Sequence, residues 1–373
     1  MNKPSDVSDI LEKVESGERL TFEDGVRLFH SDDIAAIGFA ANGVRRRLNA
    51  DRTYYVVNRH INYTDICSNR CAFCAFSRDE GESDAYLMSV EEIVERARRL
   101  WGDLRFTELH IVGGLHPGLG LGYYEEMLCS LTSEFPGVHL QAFTAVEIEH
   151  IARTGGVSVE ECLLRLRAAG LGSLPGGGAE VFSKRVRRIL CPEKLPADGW
   201  LDVMRAAHRL GIRSNATMLY GHVETIEERV DHLLRLRALQ DETGGFLCFI
   251  PLRYHSENTR LPGIEPPPRG IEDLKAIAVS RLMLDNYPHV KVFWIMLGVK
   301  LAQVALSFGA DDLDGTVVEE KITHRAGAET PEGLSVSRIR ALIAETGARP
   351  TERNTLYQEI VRDGSGFTAV SQR

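Results

Sequence analysis

From residue 53 onward, short apolar runs rich in β-branched and aromatic residues alternate with amphipathic stretches. That alternation constrains the fold more than any other feature of the chain. Residues 54–63, 109–112, 139–143, 171–174, 212–219, 246–251 and 290–296 read as strands, and 316–318 as an eighth. Between them, Ser89 with Glu92, Ser158 with Glu161 and Thr225 with Glu228 have the spacing of capping boxes that open helices. Further helices are expected over 123–135, 197–210, 271–285 and 299–308. Strands that alternate with helices pair in parallel through right-handed crossovers. Seven or eight such units predict an α/β fold, a TIM-like (β/α) barrel over residues 51–326. The alternative is an open doubly wound sheet. No G-x-G-x-x-G fingerprint follows the first strand, and Gly118-Leu119-Gly120-Leu121-Gly122 has the wrong spacing for one.

The flanks read differently. Residues 1–50 predict a helical extension, with an apolar stripe at Val7, Ile10, Leu11 and Val14, a helix opened by Thr21 with Asp24, and a third helix over 32–48. Residues 327–373 predict a helical appendix, with helices over 335–346 and 354–363 and a loose last ten residues. The prolines at 266–268 predict a stiff loop.

At 373 residues, the chain suffices for one large barrel with additions. A net charge of −9 argues against a general nucleic-acid surface. The basic runs 45–47 and 184–188 are local and fit solvated helix faces. No apolar run reaches membrane-spanning length, and the N-terminus lacks a signal-peptide core, so no membrane partner and a cytoplasmic location are expected. Seven cysteines fit a reducing compartment better than a disulfide framework. Cys129, Cys162, Cys191 and Cys248 stand in apolar contexts and are expected as buried free thiols.

The other three, Cys67, Cys71 and Cys74, stand at C-x3-C-x2-C spacing just after the first strand. Three thiolates can hold three corners of a [4Fe-4S] cubane. The fourth iron is then open to a small molecule, which suits a catalytic cluster rather than an electron carrier. Phe73 supplies an apolar shell before the third cysteine. Zinc uses similar ligands but normally closes with four, and no second Cys pair or H-x3-H follows. A non-catalytic iron–sulfur or zinc-stabilised protein is the reading from another class.

Barrel enzymes place their chemistry at the carboxyl ends of the strands. Gly113 and Gly114 follow the second strand, and two glycines let a backbone approach a ligand closely. Glu180, on a glycine-rich loop after the fourth, is a candidate acceptor for the two hydroxyls of a ribose. His222 and Glu224 follow the fifth and have the chemistry of an acid/base pair. Arg253 follows the sixth, Lys300 the seventh and His324 the eighth, while His60 and Asn62 alternate to one face of the first. Arg253, Lys300, His60 and Asn62 are substrate-binding candidates, the cations being suited to carboxylates; His222, Glu224 and His324 are the catalytic candidates.

The cysteine spacing with Phe73 resembles the signature of the radical S-adenosylmethionine (SAM) superfamily. That resemblance implies a cluster whose open iron chelates SAM, reductive cleavage to methionine and a 5′-deoxyadenosyl radical, and an electron donor such as flavodoxin or ferredoxin. It also implies that Gly113 and Gly114 receive the methionine amino group, with Leu115 where an acid often follows. More widely, residues 58–62, 176–180, 215–225, 240–251, 281–286 and 309–324 resemble the branch containing aminodeoxyfutalosine synthases, dehypoxanthine futalosine cyclases and deazaflavin-forming synthases. Residues 289–296, 314–324 and 327–332 resemble the first of these most. For that family the resemblance implies a transferase of menaquinone biosynthesis. Its radical adds to 3-[(1-carboxyvinyl)oxy]benzoate, and rearrangement with loss of the carboxyl group gives 6-amino-6-deoxyfutalosine and methionine. The cyclase, which begins by abstracting a hydrogen atom, is the alternative.

Overall fold

The computed structural model describes residues 5–261, 263–264, 270–364 and 366–370. The prolines 266–268 and the end of the expected loose tail, 371–373, lie outside them. Three helices precede the barrel: α1 (Ser8–Ser16), α2 (Phe22–His30) and α3 (Ile34–Asn49). The Thr21 hydroxyl accepts from the Asp24 N–H while the Asp24 carboxylate accepts from the Thr21 N–H, the box that starts α2.

The expected first strand breaks at Val57 into β1 (Arg52–Val56) and β2 (Asn58–Ile61). There follow α4 (Val90–Leu104), β3 (Glu108–Ile111), α5 (Leu121–Glu134), β4 (His139–Ala142), α6 (Ala145–Gly155), α7 (Val159–Ala169) and β5 (Ser173–Leu174). Next come α8 (Lys184–Leu190), α9 (Ala197–Arg209), β6 (Arg213–Tyr220), α10 (Ile226–Thr243), β7 (Phe246–Arg253), α11 (Ile271–Met283) and β8 (His289–Val290). Strands β2 to β8 form one curled parallel sheet in chain order. After α12 (Trp294–Leu297) and α13 (Val299–Ala305), β9 (Asp312–Gly315) pairs with β1. Single bridges, Lys291 to Asp312 and Arg59 to Val318, carry it across to the two edges of the curled sheet. The closing strand therefore sits at 312–315, earlier than the 316–318 expected, and Val318 contributes one bridge.

Helix α6 was not among the expected elements. Its signal was present: Thr144 and Glu147 cap each other reciprocally, as in the boxes that were found.

The C-terminal region departs from the expectation. After α14 (Ile322–Arg325) and α15 (Val336–Ala344), residues 354–363 form no helix; the chain makes β10 (Arg349–Arg353), β11 (Glu359–Asp363) and β12 (Gly366–Val370). The sheet order is β12-β11-β10-β1-β9, with β10 parallel to β1 from Arg52↔Arg349 to Val56↔Arg353. Distant partners hold it. Arg353 pairs with Asp312 at 2.6 Å, and the Tyr357 ring stacks on His289 with centroids 3.6 Å apart. Cys162, Cys191 and Cys248 are buried as expected, but Cys129 on α5 is exposed.

Candidate active site

A cavity of about 330 Å³ opens at the carboxyl ends of the barrel strands. Cys67, Cys71 and Cys74, on the loop after β2, all line it, with Phe73, Gly113, Gly114, Glu180 and Lys194 beside them. Backbone hydrogen bonds fix this loop to its neighbours. Gly114 N–H donates to Thr64 O at 2.9 Å, Ser68 N–H to Leu115 O at 3.0 Å, and Ala72 N–H to Leu190 O at 2.6 Å. Gly114 has to be glycine, because a Cβ there would lie 2.2 Å from the Ile66 carbonyl oxygen.

Among the described residues no three His, Cys, Asp or Glu side chains converge on a single-ion site. All three thiols do line this one cavity, and three thiolates are the donor set that three corners of a [4Fe-4S] cluster would take. Burial pushes the Cys71 thiol up to about 12 and also raises Cys67, so a metal would have to supply the positive charge that makes them thiolates. Lys194 is the cation closest to hand. Its ammonium pairs with Glu180 at 2.6 Å and lies 5.1 Å from the Phe73 ring centre. Burial opposes its charge, but Cys71, Glu180 and Cys191 outweigh burial and hold its pKa above the usual lysine value. Glu180 adopts a left-handed φ of 48°, which turns its side chain into this wall.

The deeper wall is built from strand residues. Register pairing sets Asn58 beside Glu108 and His60 beside His110. The two imidazoles stack at 4.5 Å, and His110 Nδ1 meets Gln141 Oε1 at 3.1 Å. Burial lowers the pKa of both rings, so they stand neutral. Lys291, Phe293, Asp314 and Arg253 complete this part. Arg253 is held by Asp273 at 2.6 Å, which also accepts from the Tyr220 hydroxyl.

The structure therefore brings Cys67, Cys71, Cys74, Phe73, Gly113, Gly114, Glu180, His60 and Arg253 to one cavity. The remaining candidates lie elsewhere. His222 and Glu224 pair at 2.7 Å with both side chains fully buried, and Glu224 also accepts from Gly221 N–H, His222 N–H and Arg229. They knot the loop after β6 and do not line the cavity. His324 Nδ1 meets the Glu320 carbonyl at 2.7 Å and Nε2 the Thr330 carbonyl at 3.0 Å, so its ring is a strap between loop segments. Lys300 is exposed on α13. Asn62 donates to Val112 O at 3.1 Å, behind the cavity wall.

Cavity residues that the sequence reading did not single out include His110, Glu147, Lys194 and Lys291. Two had a local signal. Glu147 is the N3 acid of a capping box, and Lys291 alternates with Val290 and Val292 along a strand-like run. Lys194 had none, since it follows Cys-Pro-Glu in a connecting loop.

A family model described as "Radical SAM superfamily" matches residues 61–236, and one described as "CofH/MqnC C-terminal region" matches 243–363. The chain is 49% identical to the aminodeoxyfutalosine synthase of Streptomyces coelicolor, covering 96% of this chain and 95% of the relative. It is 45% identical to the aminodeoxyfutalosine synthase of Thermus thermophilus, covering 94% and 95%. A relative from Methanopyrus kandleri carries a different name, 5-amino-6-(D-ribitylamino)uracil–L-tyrosine 4-hydroxyphenyl transferase, at 42% identity over 86% of this chain and 88% of the relative. Among solved structures, methylornithine synthase superposes with a TM-score of 0.73 at 20% identity, covering 91% of this chain and 96% of that one, a likeness of fold.

Proposed function

This chain belongs to the radical SAM superfamily, and from that premise we propose that it catalyses the aminodeoxyfutalosine synthase reaction of menaquinone biosynthesis. The deoxyadenosyl carbon of SAM bonds to the vinyl carbon of 3-[(1-carboxyvinyl)oxy]benzoate. The aryl group then moves from oxygen to carbon and the enol-ether carboxyl group leaves as carbon dioxide or bicarbonate. The products are 6-amino-6-deoxyfutalosine and methionine. The electron that opens the sequence is released when the carboxyl group departs, so the reaction is redox-neutral overall. The observation that carries this reading is near-half identity to two aminodeoxyfutalosine synthases along almost the whole chain, joined to a cavity lined by three thiols and by the cations Lys194, Arg253 and Lys291.

When bound, the [4Fe-4S] cluster supplies the one-electron cleavage of SAM, after reduction by a partner of the flavodoxin or ferredoxin kind. In this proposal Cys67, Cys71 and Cys74 hold three irons. Gly113 and Gly114 receive the amino group, Glu180 the ribose hydroxyls, and Lys194 the methionine carboxylate. Phe73 shields the cluster from water. His60 and Arg253 serve the substrate, and the enclosed barrel limits quenching. The sequence of addition, aryl shift and decarboxylation moves no proton through a side chain. That agrees with His222, Glu224 and His324 standing outside the cavity, and we assign them structural roles.

The test is anaerobic turnover with reconstituted cluster, reductant, SAM and the carboxyvinyl ether, read by mass spectrometry. A product that keeps the adenosyl group, formed with methionine, is expected. Methionine with 5′-deoxyadenosine alone would move the reading to a hydrogen-abstracting sibling such as the dehypoxanthine futalosine cyclase, which the match to the CofH/MqnC C-terminal region keeps in view.

A further inference from the structure

The reading above asks one cavity to hold three carboxylates: that of methionine, that of the enol ether and that of the benzoate ring. Among the described residues lining the cavity three are cations, Lys194, Arg253 and Lys291. Lys194 stands at the thiol wall, paired with Glu180. Arg253 ends β7 with Asp273 and Tyr220 behind it. Lys291 follows β8, is buried, and approaches Asp314 only to 3.5 Å, a loose ion pair.

The surroundings of Lys291 suit an aryl carboxylate. His289, Lys291 and Phe293 are successive same-face positions of an extended run, and two residues along a strand advance about 6.6 Å. That matches the reach from the centre of a benzoate ring to an ammonium group hydrogen-bonded to its carboxylate. The Phe293 ring is parallel to that of His60, 7° apart in plane and 6.4 Å between centres, and both line the cavity. The neighbouring acids compete little. Glu108 accepts from Asn58 at 3.3 Å and Thr355 at 2.7 Å, while Asp314, whose carboxyl pKa burial raises, comes no nearer to Lys291 than 3.5 Å.

Building on the proposed function, we propose that the substrate enters ring first: Lys291 binds the ring carboxylate, the aryl ring lies against the cavity-facing edges of His60 and Phe293, and Arg253 binds the enol-ether carboxylate. The vinyl carbon then faces the thiol wall, where the adenosyl group arises. Lys291 is thereby the residue that selects a benzoate over an unsubstituted phenyl ether.

The test uses inert ligands and needs no turnover. Binding of 3-(carboxymethoxy)benzoate, its ring amide 3-(carboxymethoxy)benzamide, and phenoxyacetate is measured by calorimetry on cluster-reconstituted enzyme with S-adenosylhomocysteine present. The unmodified protein is expected to prefer the benzoate over both others by at least about thirtyfold, the scale of a buried charge pair. K291M should abolish that preference while leaving phenoxyacetate affinity within about twofold, and K291R should retain most of it. Equal binding of benzoate and benzamide by the unmodified protein would overturn the proposal even if K291M does not fold. So would a K291M variant that still prefers the benzoate, or one that loses all three ligands alike. If the unmodified protein binds none of the three, the reading of the substrate as an aromatic dicarboxylate falls, and this inference with it.

Discussion

Lys194 Nζ lies 2.6 Å from Glu180 Oε1, both groups nearly buried on the thiol wall of the cavity. Removing one member of such a pair leaves the other as an uncompensated buried charge, which costs about 3–5 kcal/mol. K194M is therefore expected to lower stability by roughly that amount and to weaken S-adenosylhomocysteine binding at least about tenfold, because the left-handed Glu180 loses its anchor. K194R should recover part of both. Chemical denaturation and calorimetry read the two effects separately. An unchanged ligand affinity in a destabilised K194M would confine the pair to a structural role.

The cysteines divide into two groups by place. Cys67, Cys71 and Cys74 share the cavity, whereas Cys162, Cys191 and Cys248 are buried outside its lining and Cys129 is exposed on α5. Each of C67A, C71A and C74A is expected to lose nearly all bound iron and sulfide, about four of each per chain in the unmodified protein. C129A, C162A and C248A should keep it. Iron and sulfide analysis with the charge-transfer absorbance decides, and a normal iron content in C74A would remove that residue from the ligand set.

His324 has its pKa raised to about 9, chiefly by its hydrogen bond to Glu320, assisted by the carbonyls of Glu320 and Thr330. A group whose folded pKa exceeds its unfolded value near 6.5 stabilises fully below that pH and ceases to as the pH rises through the folded value. The strap joining Glu320 to Thr330 should then weaken between about pH 6.5 and 9. H324Q should lie furthest below the unmodified protein in Tm near pH 6, with the gap closing by pH 9.5. A gap independent of pH would show that the ring acts by packing and not by charge.

What the sequence disclosed and what it hid divide along the range of the interactions. Capping boxes, strand alternation and the cysteine spacing are local, and they located the barrel and the thiol wall. The closing strand β9 and the strands β10–β12 depend on partners far along the chain. Arg353 finds Asp312, and Tyr357 finds His289, so residues 354–363 could pass for a helix when read alone. The same range separates the candidate residues. Lys194 joins the site because Glu180 draws it in, not because of its neighbours. His222 and Glu224 look like an acid/base pair in sequence. They do pair, but Glu224 also accepts the N–H groups of Gly221 and His222 and pairs with Arg229, a structural use of charge that their two-residue spacing does not reveal.

Glu147 offers the sharpest test of how the glycine turn is held. Its Oε1 accepts from the Tyr63 hydroxyl and from Gly113 N–H, both at 2.9 Å, and its Oε2 accepts from Thr144 N–H at 2.7 Å and Thr144 Oγ1 at 2.8 Å. Four donors thus converge on one buried carboxylate, which ties the end of β3 to the start of α6 and presses Gly114 against Ile66 of the cysteine loop. In E147Q one oxygen becomes an amide nitrogen that faces a hydroxyl, which can turn to accept, and a backbone N–H, that of Gly113 or Thr144, which is left unsatisfied at about 1–3 kcal/mol. Y63F removes a single donor and should cost about 0.5–1.5 kcal/mol. The expected order of stability is therefore unmodified, Y63F, E147Q. The double variant should show less than additive loss, because both changes act on one hydrogen-bond network. Iron content should fall only in E147Q, because only there can Gly113 lose its acceptor. If Y63F and E147Q lose the same stability and both keep their iron, the carboxylate does not anchor the turn, and the backbone bond from Gly114 to Thr64 holds it alone.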